Sequence, residues 1–190
     1  MKIQPCYIIN DKTILLKGEY DAFGKLCTRV FEEDQTFLVD MAPVELINHT
    51  LLIIGDDFRG ALESSRYLLG EMKMYPIKIN DTLDIWLFPT KSYKKDNCVW
   101  FALSHIRKTK AVGVRKTEVS LSYGHVFKVE MKQSSFNDKR QKAEDLRGMI
   151  RTNSKNPFIF YQKPKQQGFY ICEDCHSRKE IDPPQKPEDE

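Results

Sequence analysis

Hydrophobic and polar positions alternate in short bursts along most of this chain, and turn-forming residues bound the bursts, which is the pattern of strands. Cys6-Tyr7-Ile8-Ile9 and Ile14-Leu15-Leu16 flank Asn10-Asp11-Lys12 and predict a first hairpin. Leu26 to Phe31 and Thr36 to Met41 predict a second pair around the acidic turn Glu32-Glu33-Asp34-Gln35. Pro43 suits a first helical turn, and Val44, Leu46, Ile47 and Leu51 predict a short buried helix that Gly55 closes. Asp56 and Asp57 predict the N-cap of a second helix, which reaches about Leu69 and stops at Gly70. Met74 to Ile79 and Asp84 to Phe88 read as strands. The run Cys98 to Ile106 is too continuously apolar to be half-exposed and predicts one central strand. Thr117 to Leu121 and His125 to Glu130 form a hairpin around Ser122-Tyr123-Gly124. Ser134 or Ser135 then caps a longer helix to about Thr152, its buried face marked by Phe136, Ala143, Leu146 and Ile150.

These elements predict an α+β fold: a single domain over residues 1–165, mainly antiparallel sheet with several short helices and one longer C-terminal helix. Residues 166–190 are acidic and Pro-rich and read as a disordered tail. No run approaches the roughly 18 apolar residues of a membrane span. The N-terminus lacks the apolar core of a secretory signal. Five cysteines cannot all pair within one chain, which favours reduced thiols and a cytoplasmic protein.

Charge changes the picture through its distribution. Residues 1–90 hold 9 Lys/Arg against 14 Asp/Glu, residues 91–165 hold 18 against 6, and residues 166–190 hold 3 against 7. A basic middle between acidic flanks is the footprint of a polyanion partner, although charge alone leaves a merely solvated surface open. Eight basic residues fall between positions 91 and 116 with one acid, Asp96. Lys91, Lys94 and Lys95 precede the apolar run in a loop; Arg107, Lys108, Lys110, Arg115 and Lys116 follow it in the connection to the next hairpin. Arg140, Arg147 and Arg151 make a further basic stripe along the last helix. These eleven residues are the candidate nucleic-acid contacts.

Enzyme motifs are missing. The chain has no GxSxG elbow, Walker A loop, HExxH or Rossmann glycine pattern, and a non-enzymatic role is expected. Ser104 and His105 are adjacent and, on a strand, would point to opposite faces, which excludes a nucleophile–base contact. Cys172-Glu173-Asp174-Cys175-His176 offers half a zinc site; a haem attachment would require export, and no cofactor or metal is expected. An RNA-binding or protein-interaction module with a basic face remains the alternative function.

The middle of the chain resembles a known family. Tyr75-Pro76-Ile77-Lys78-Ile79, Trp86-Leu87-Phe88-Pro89-Thr90-Lys91-Ser92, Cys98-Val99-Trp100-Phe101, His105-Ile106, Thr117 to Gly124, Ser134-Ser135-Phe136-Asn137 and Leu146-Arg147 resemble the ComK family of competence transcription factors in order and spacing over about residues 50–160. The resemblance implies a transcriptional activator of DNA-uptake genes that binds A·T-rich boxes of duplex DNA as dimers associating further into tetramers, from the minor-groove side, and meets the transcription machinery. It also implies an adaptor of a Clp protease as partner, gripping a C-terminal segment similar to Phe158, Ile159, Phe160 and Tyr161. The sequence departs from the family pattern at Gln162, where a proline is expected, at Ala61, where an arginine is expected, and in the tail that carries Cys172 and Cys175.

Overall fold

The computed structural model describes residues 3–155. Ten strands and three α-helices follow one another along this stretch. A seven-stranded sheet is built from β1 (Ile3–Gln4), β2 (Thr13–Tyr20), β3 (Leu26–Glu32), β4 (Gln35–Val39), β5 (Ile77–Asn80), β6 (Ile85–Pro89) and β7 (Val99–Ala102), in the order β1-β4-β3-β2-β7-β6-β5. Only β1 and β4 pair parallel; the other neighbours are antiparallel. A second, three-stranded antiparallel sheet holds β8 (Ile106–Gly113), β9 (Lys116–Leu121) and β10 (Val126–Val129), in the order β10-β9-β8.

Period-two alternation explains why the large sheet is buried on both faces. Ile85 and Leu87 of β6, and Trp100 and Ala102 of β7, join Leu46, Ile47, Leu51, Phe58 and Ala61 in one core. Those helical residues belong to α1 (Pro43–Ile53) and α2 (Phe58–Leu69). Trp86, Phe88, Val99, Phe101 and Leu103 face the other way, into a second core with Val119, Leu121, Val129, Phe136, Ala143 and Leu146. That core is closed by the small sheet and by α3 (Gln133–Lys155). A bulge between Thr13 and Leu15 lets consecutive Ile14 and Leu15 both enter it.

Helix ends follow the expected chemistry. Pro43 opens α1, and the backbone N–H of Ala42 donates to the Glu45 carboxylate at 2.9 Å. Asp57 caps α2 by accepting from the Arg59 and Gly60 N–H groups at 2.8 and 3.0 Å. Gly70 ends that helix with φ +73°, in the left-handed region that suits glycine.

Three sequence expectations need correction. Cys6–Ile9 is not a strand, and the first hairpin does not form. Side chains satisfy that segment instead: Ile9 N–H donates to Thr50 Oγ1, while Tyr7 and Asn10 share hydrogen bonds with Thr13 and Glu32. The run Cys98–Ile106 is not one strand, because a 3-10 turn at Leu103–His105 carries the chain from the large sheet to the small one. Its unbroken apolarity reflects β7 buried on two faces and a turn buried between sheets. Finally, α3 starts at Gln133, with the Phe136 N–H bonded to the Lys132 carbonyl, so neither Ser134 nor Ser135 is its cap.

Candidate nucleic-acid interface

The connection expected after the apolar run is itself a strand, so the second basic cluster is carried on a β-ribbon. β8 and β9 pair from Ile106–Leu121 out to Gly113–Lys116, and Val114-Arg115 forms the turn between them. Every residue from Lys110 to Lys116 is exposed. Register assigns the faces. Val119, paired with Thr109, is buried, so the alternate rows Lys108–Ser120–Val126 and Lys110–Glu118–Lys128 lie on the opposite, outer face. Lys128 lies outside the two clusters of the charge map; only cross-strand register places it beside Lys108 and Lys110. The signal in the sequence is the Val126-Phe127-Lys128-Val129 alternation, which sets Phe127 and Val129 inward and Lys128 outward.

Lys91, Lys94 and Lys95 sit in the loop joining β6 to β7. That loop is fixed rather than floppy. Lys95 N–H donates to the Ser92 carbonyl at 3.0 Å, and Cys98 N–H donates to the Lys95 carbonyl at 2.9 Å. The Cys98 thiol donates to the Lys91 carbonyl at 3.3 Å, and burial pushes that thiol above its ordinary range. Tyr93 packs edge-on against Phe58 at the start of α2, ring centroids 5.3 Å apart. Lys94 and Lys95 are thereby displayed outward from an anchored backbone.

The first turns of α3 hydrogen-bond to the basic ribbon. Gln133 donates to the Thr109 carbonyl on β8 at 2.9 Å, and Thr109 donates to Asn137 at 3.0 Å. Two residues further, Lys139 donates to Met74 Sδ at 3.2 Å and lies within electrostatic reach of Cys98 at the foot of the β6–β7 loop. Burial holds the Lys139 ammonium below the usual lysine range. The ribbon therefore lies against the first turns of α3.

Ion pairing divides the candidate residues. None of Lys91, Lys94, Lys95, Arg107, Lys108, Lys110, Arg115 and Lys116 has a carboxylate partner among the described residues, and the same is true of Arg140. Arg147 pairs with Asp84 at 3.2 Å and with Glu144; Arg151 pairs with Asp81 at 2.8 Å and with Asp84 at 2.9 Å. Those two arginines fasten α3 to the β5–β6 turn. Ala61, the position at which the resemblance leads one to expect an arginine, is 5% exposed and packs in the first core.

Phe158, Ile159, Phe160, Tyr161, Cys172, Cys175 and His176 lie outside the described residues. Among the described residues no cluster of His, Cys, Asp or Glu is arranged to hold a metal, and no helix is long and apolar enough to cross a membrane.

Fold and site together define an α+β protein that presents an anchored loop and a β-ribbon whose lysines and arginines have no carboxylate partner among the described residues. The chain belongs to the ComK family, whose family model, described as ComK protein, matches residues 4–155. It is also 27% identical over 166 residues to the competence transcription factor of Bacillus subtilis (strain 168), an alignment covering 87% of this chain and 83% of that protein. No solved structure matches the chain.

Proposed function

We propose that this chain is a sequence-directed DNA-binding activator of competence genes, non-enzymatic, which grips A·T-rich duplex DNA through the β6–β7 loop and the β8–β9 ribbon. The observation that carries this reading is the set of eight basic residues on these two elements that have no carboxylate partner among the described residues. A lysine or arginine without a carboxylate partner keeps its full charge for phosphates, each contact releasing counterions from the duplex. A two-stranded ribbon is also a shape that enters a groove and brings side chains to base edges. Lys91, Lys94, Lys95, Arg107, Lys108, Lys110, Arg115 and Lys116 are the proposed contacts, with Lys128 added by register and Arg140 beside them on α3. Arg147 and Arg151 are left out because Asp81, Asp84 and Glu144 already take up their charges.

The name of the Bacillus subtilis relative supports transcription and competence as the setting. A cytoplasmic dimer or tetramer on DNA, contact with the transcription machinery, and adaptor recognition at residues 158–161 belong to the same proposal. The experiment is a paired titration of A·T-rich duplex, scrambled duplex and single-stranded RNA at two salt concentrations. The proposal expects tightest binding to the A·T-rich duplex at both. Equal binding to all three would replace it with the alternative of a general basic-face module.

A further inference from the structure

The turn between β2 and β3, Asp21-Ala22-Phe23-Gly24-Lys25, is unusually well fixed for a surface loop. Asp21 N–H donates to the Lys25 carbonyl at 2.9 Å, and Gly24 N–H donates to the Asp21 carbonyl at 3.2 Å. One Asp21 carboxylate oxygen accepts from both the Phe23 and Lys25 N–H groups at 2.8 Å. Gly24 takes φ +80°, which a residue with a side chain adopts only under strain. This rigid frame holds Phe23 95% exposed, the most exposed large apolar side chain among the described residues. A ring so fully wetted and so firmly positioned stands to gain wherever a partner covers it.

Its place in the fold indicates which partner. The last pairing of β2 with β7 is Lys17–Val99, so Gly18, Glu19 and Tyr20 run on for about 10 Å past it. That overhang is tied to the basic loop. The Tyr20 hydroxyl donates to the Asp96 carboxylate, and Gly18 lies so close to the Asp96 carbonyl that any Cβ would collide with it. Asp96 directly follows Lys94 and Lys95. Lys25 of the turn pairs with Asp40 at 2.7 Å, Glu19 of the overhang pairs with Arg29 at 2.5 Å, and the Asp21 carboxylate is occupied by backbone N–H groups. The apolar tip thus ends the overhang that touches the loop of Lys94 and Lys95, cations with no carboxylate partner among the described residues.

We propose that Phe23 is a wedge that enters a base-pair step of the duplex held by Lys94 and Lys95, an inference that rests on the DNA-binding reading above. An aromatic ring pushed between base pairs unstacks them partially and kinks the helix, and the phosphate contacts beside it offset that cost. The steps that open most easily are pyrimidine–purine, TA among them. The wedge therefore supplies a preference for TA-containing sequence without any hydrogen bond to a base edge.

The test uses the full chain and duplexes carrying 2-aminopurine at successive adenines of an A·T-rich site, whose fluorescence rises on unstacking. Wild-type protein is expected to raise the signal at one step. Phe23→Ala is expected to lose that rise and to bind about tenfold more weakly, with an unchanged salt slope because phosphate contacts remain. Phe23→Leu keeps an apolar wedge and retains part of both effects. The ring makes no core contact, so an unchanged melting temperature for both variants serves as the folding control. Phe23→Ala with wild-type affinity and wild-type fluorescence overturns the wedge. So does a variant that loses self-association or capture of another protein while its DNA complex is intact. A wild-type complex with no fluorescence rise at any step overturns the wedge alone, whereas wild-type protein that binds no duplex overturns the DNA-binding reading and the wedge with it.

Discussion

His105 carries the clearest consequence at the level of a single side chain. Its Nε2 lies 2.7 Å from the Asp11 carbonyl, so that nitrogen bears the proton and donates, and Nδ1 is left buried with no hydrogen-bond partner among the described residues. Burial holds the imidazole below the ordinary histidine range, an effect only partly opposed by the Asp11 carbonyl. The folded state therefore binds fewer protons than the unfolded chain once pH falls below about 6.5, and stability rises with pH across that window. The contribution is intact above the unfolded pKa and is lost on acidification. Urea midpoints should fall between pH 7 and pH 5 in the wild type and fall less in His105→Gln, which keeps an N–H for Asp11. Equal falls in both would show that His105 is not the group responsible. None of this is legible in the sequence: Ser104-His105 gives a residue type and a run of apolar neighbours, but the Asp11 carbonyl lies 94 positions away along the chain.

At the scale of elements, the sequence pattern located most strands and helices to within a few residues, because alternation and end chemistry are local. Asp57, Gly55 and Gly70 marked their helix ends correctly. What local pattern does not contain is the partner of a strand. Cys98–Ile106 is apolar because two different sheets and a turn bury it, and no feature of the run distinguishes that from one long central strand. Arginines on a helix are equally ambiguous, since Arg147 and Arg151 look like Arg140 until Asp81 and Asp84 are found opposite them. This anchoring predicts a regional effect. Asp81→Ala combined with Asp84→Ala should speed amide exchange over residues 144–155 while residues 136–139 stay protected by Phe136 and the Thr109 hydrogen bonds. The ion pairs are partly solvent-exposed and worth about 1 kcal/mol or less, but Asp84 also accepts the indole N–H of buried Trp86 at 3.0 Å, so the double variant should lose on the order of 1–3 kcal/mol more. Uniform exchange along the whole helix would contradict this division.

For the whole molecule, the basic stretch between acidic flanks is visible in the charge map, and the structure changes what it means. The charges on Lys94, Lys95, Arg115 and Lys116 are spread over two separate elements, a loop and a ribbon, rather than along one segment. Lys128 enters from a third strand through register. The central claim is that these unpaired charges neutralise DNA phosphates, and salt dependence tests it most directly. Binding of an A·T-rich duplex should weaken linearly in log-log terms as salt rises, with a slope of about −0.9 per neutralised phosphate. Replacing Lys94, Lys95, Arg115 and Lys116 together by Ala should reduce the magnitude of that slope by about 0.9 for each phosphate left without its cation, roughly 3.6 if all four side chains meet phosphates. A slope unchanged by the four substitutions would contradict the account.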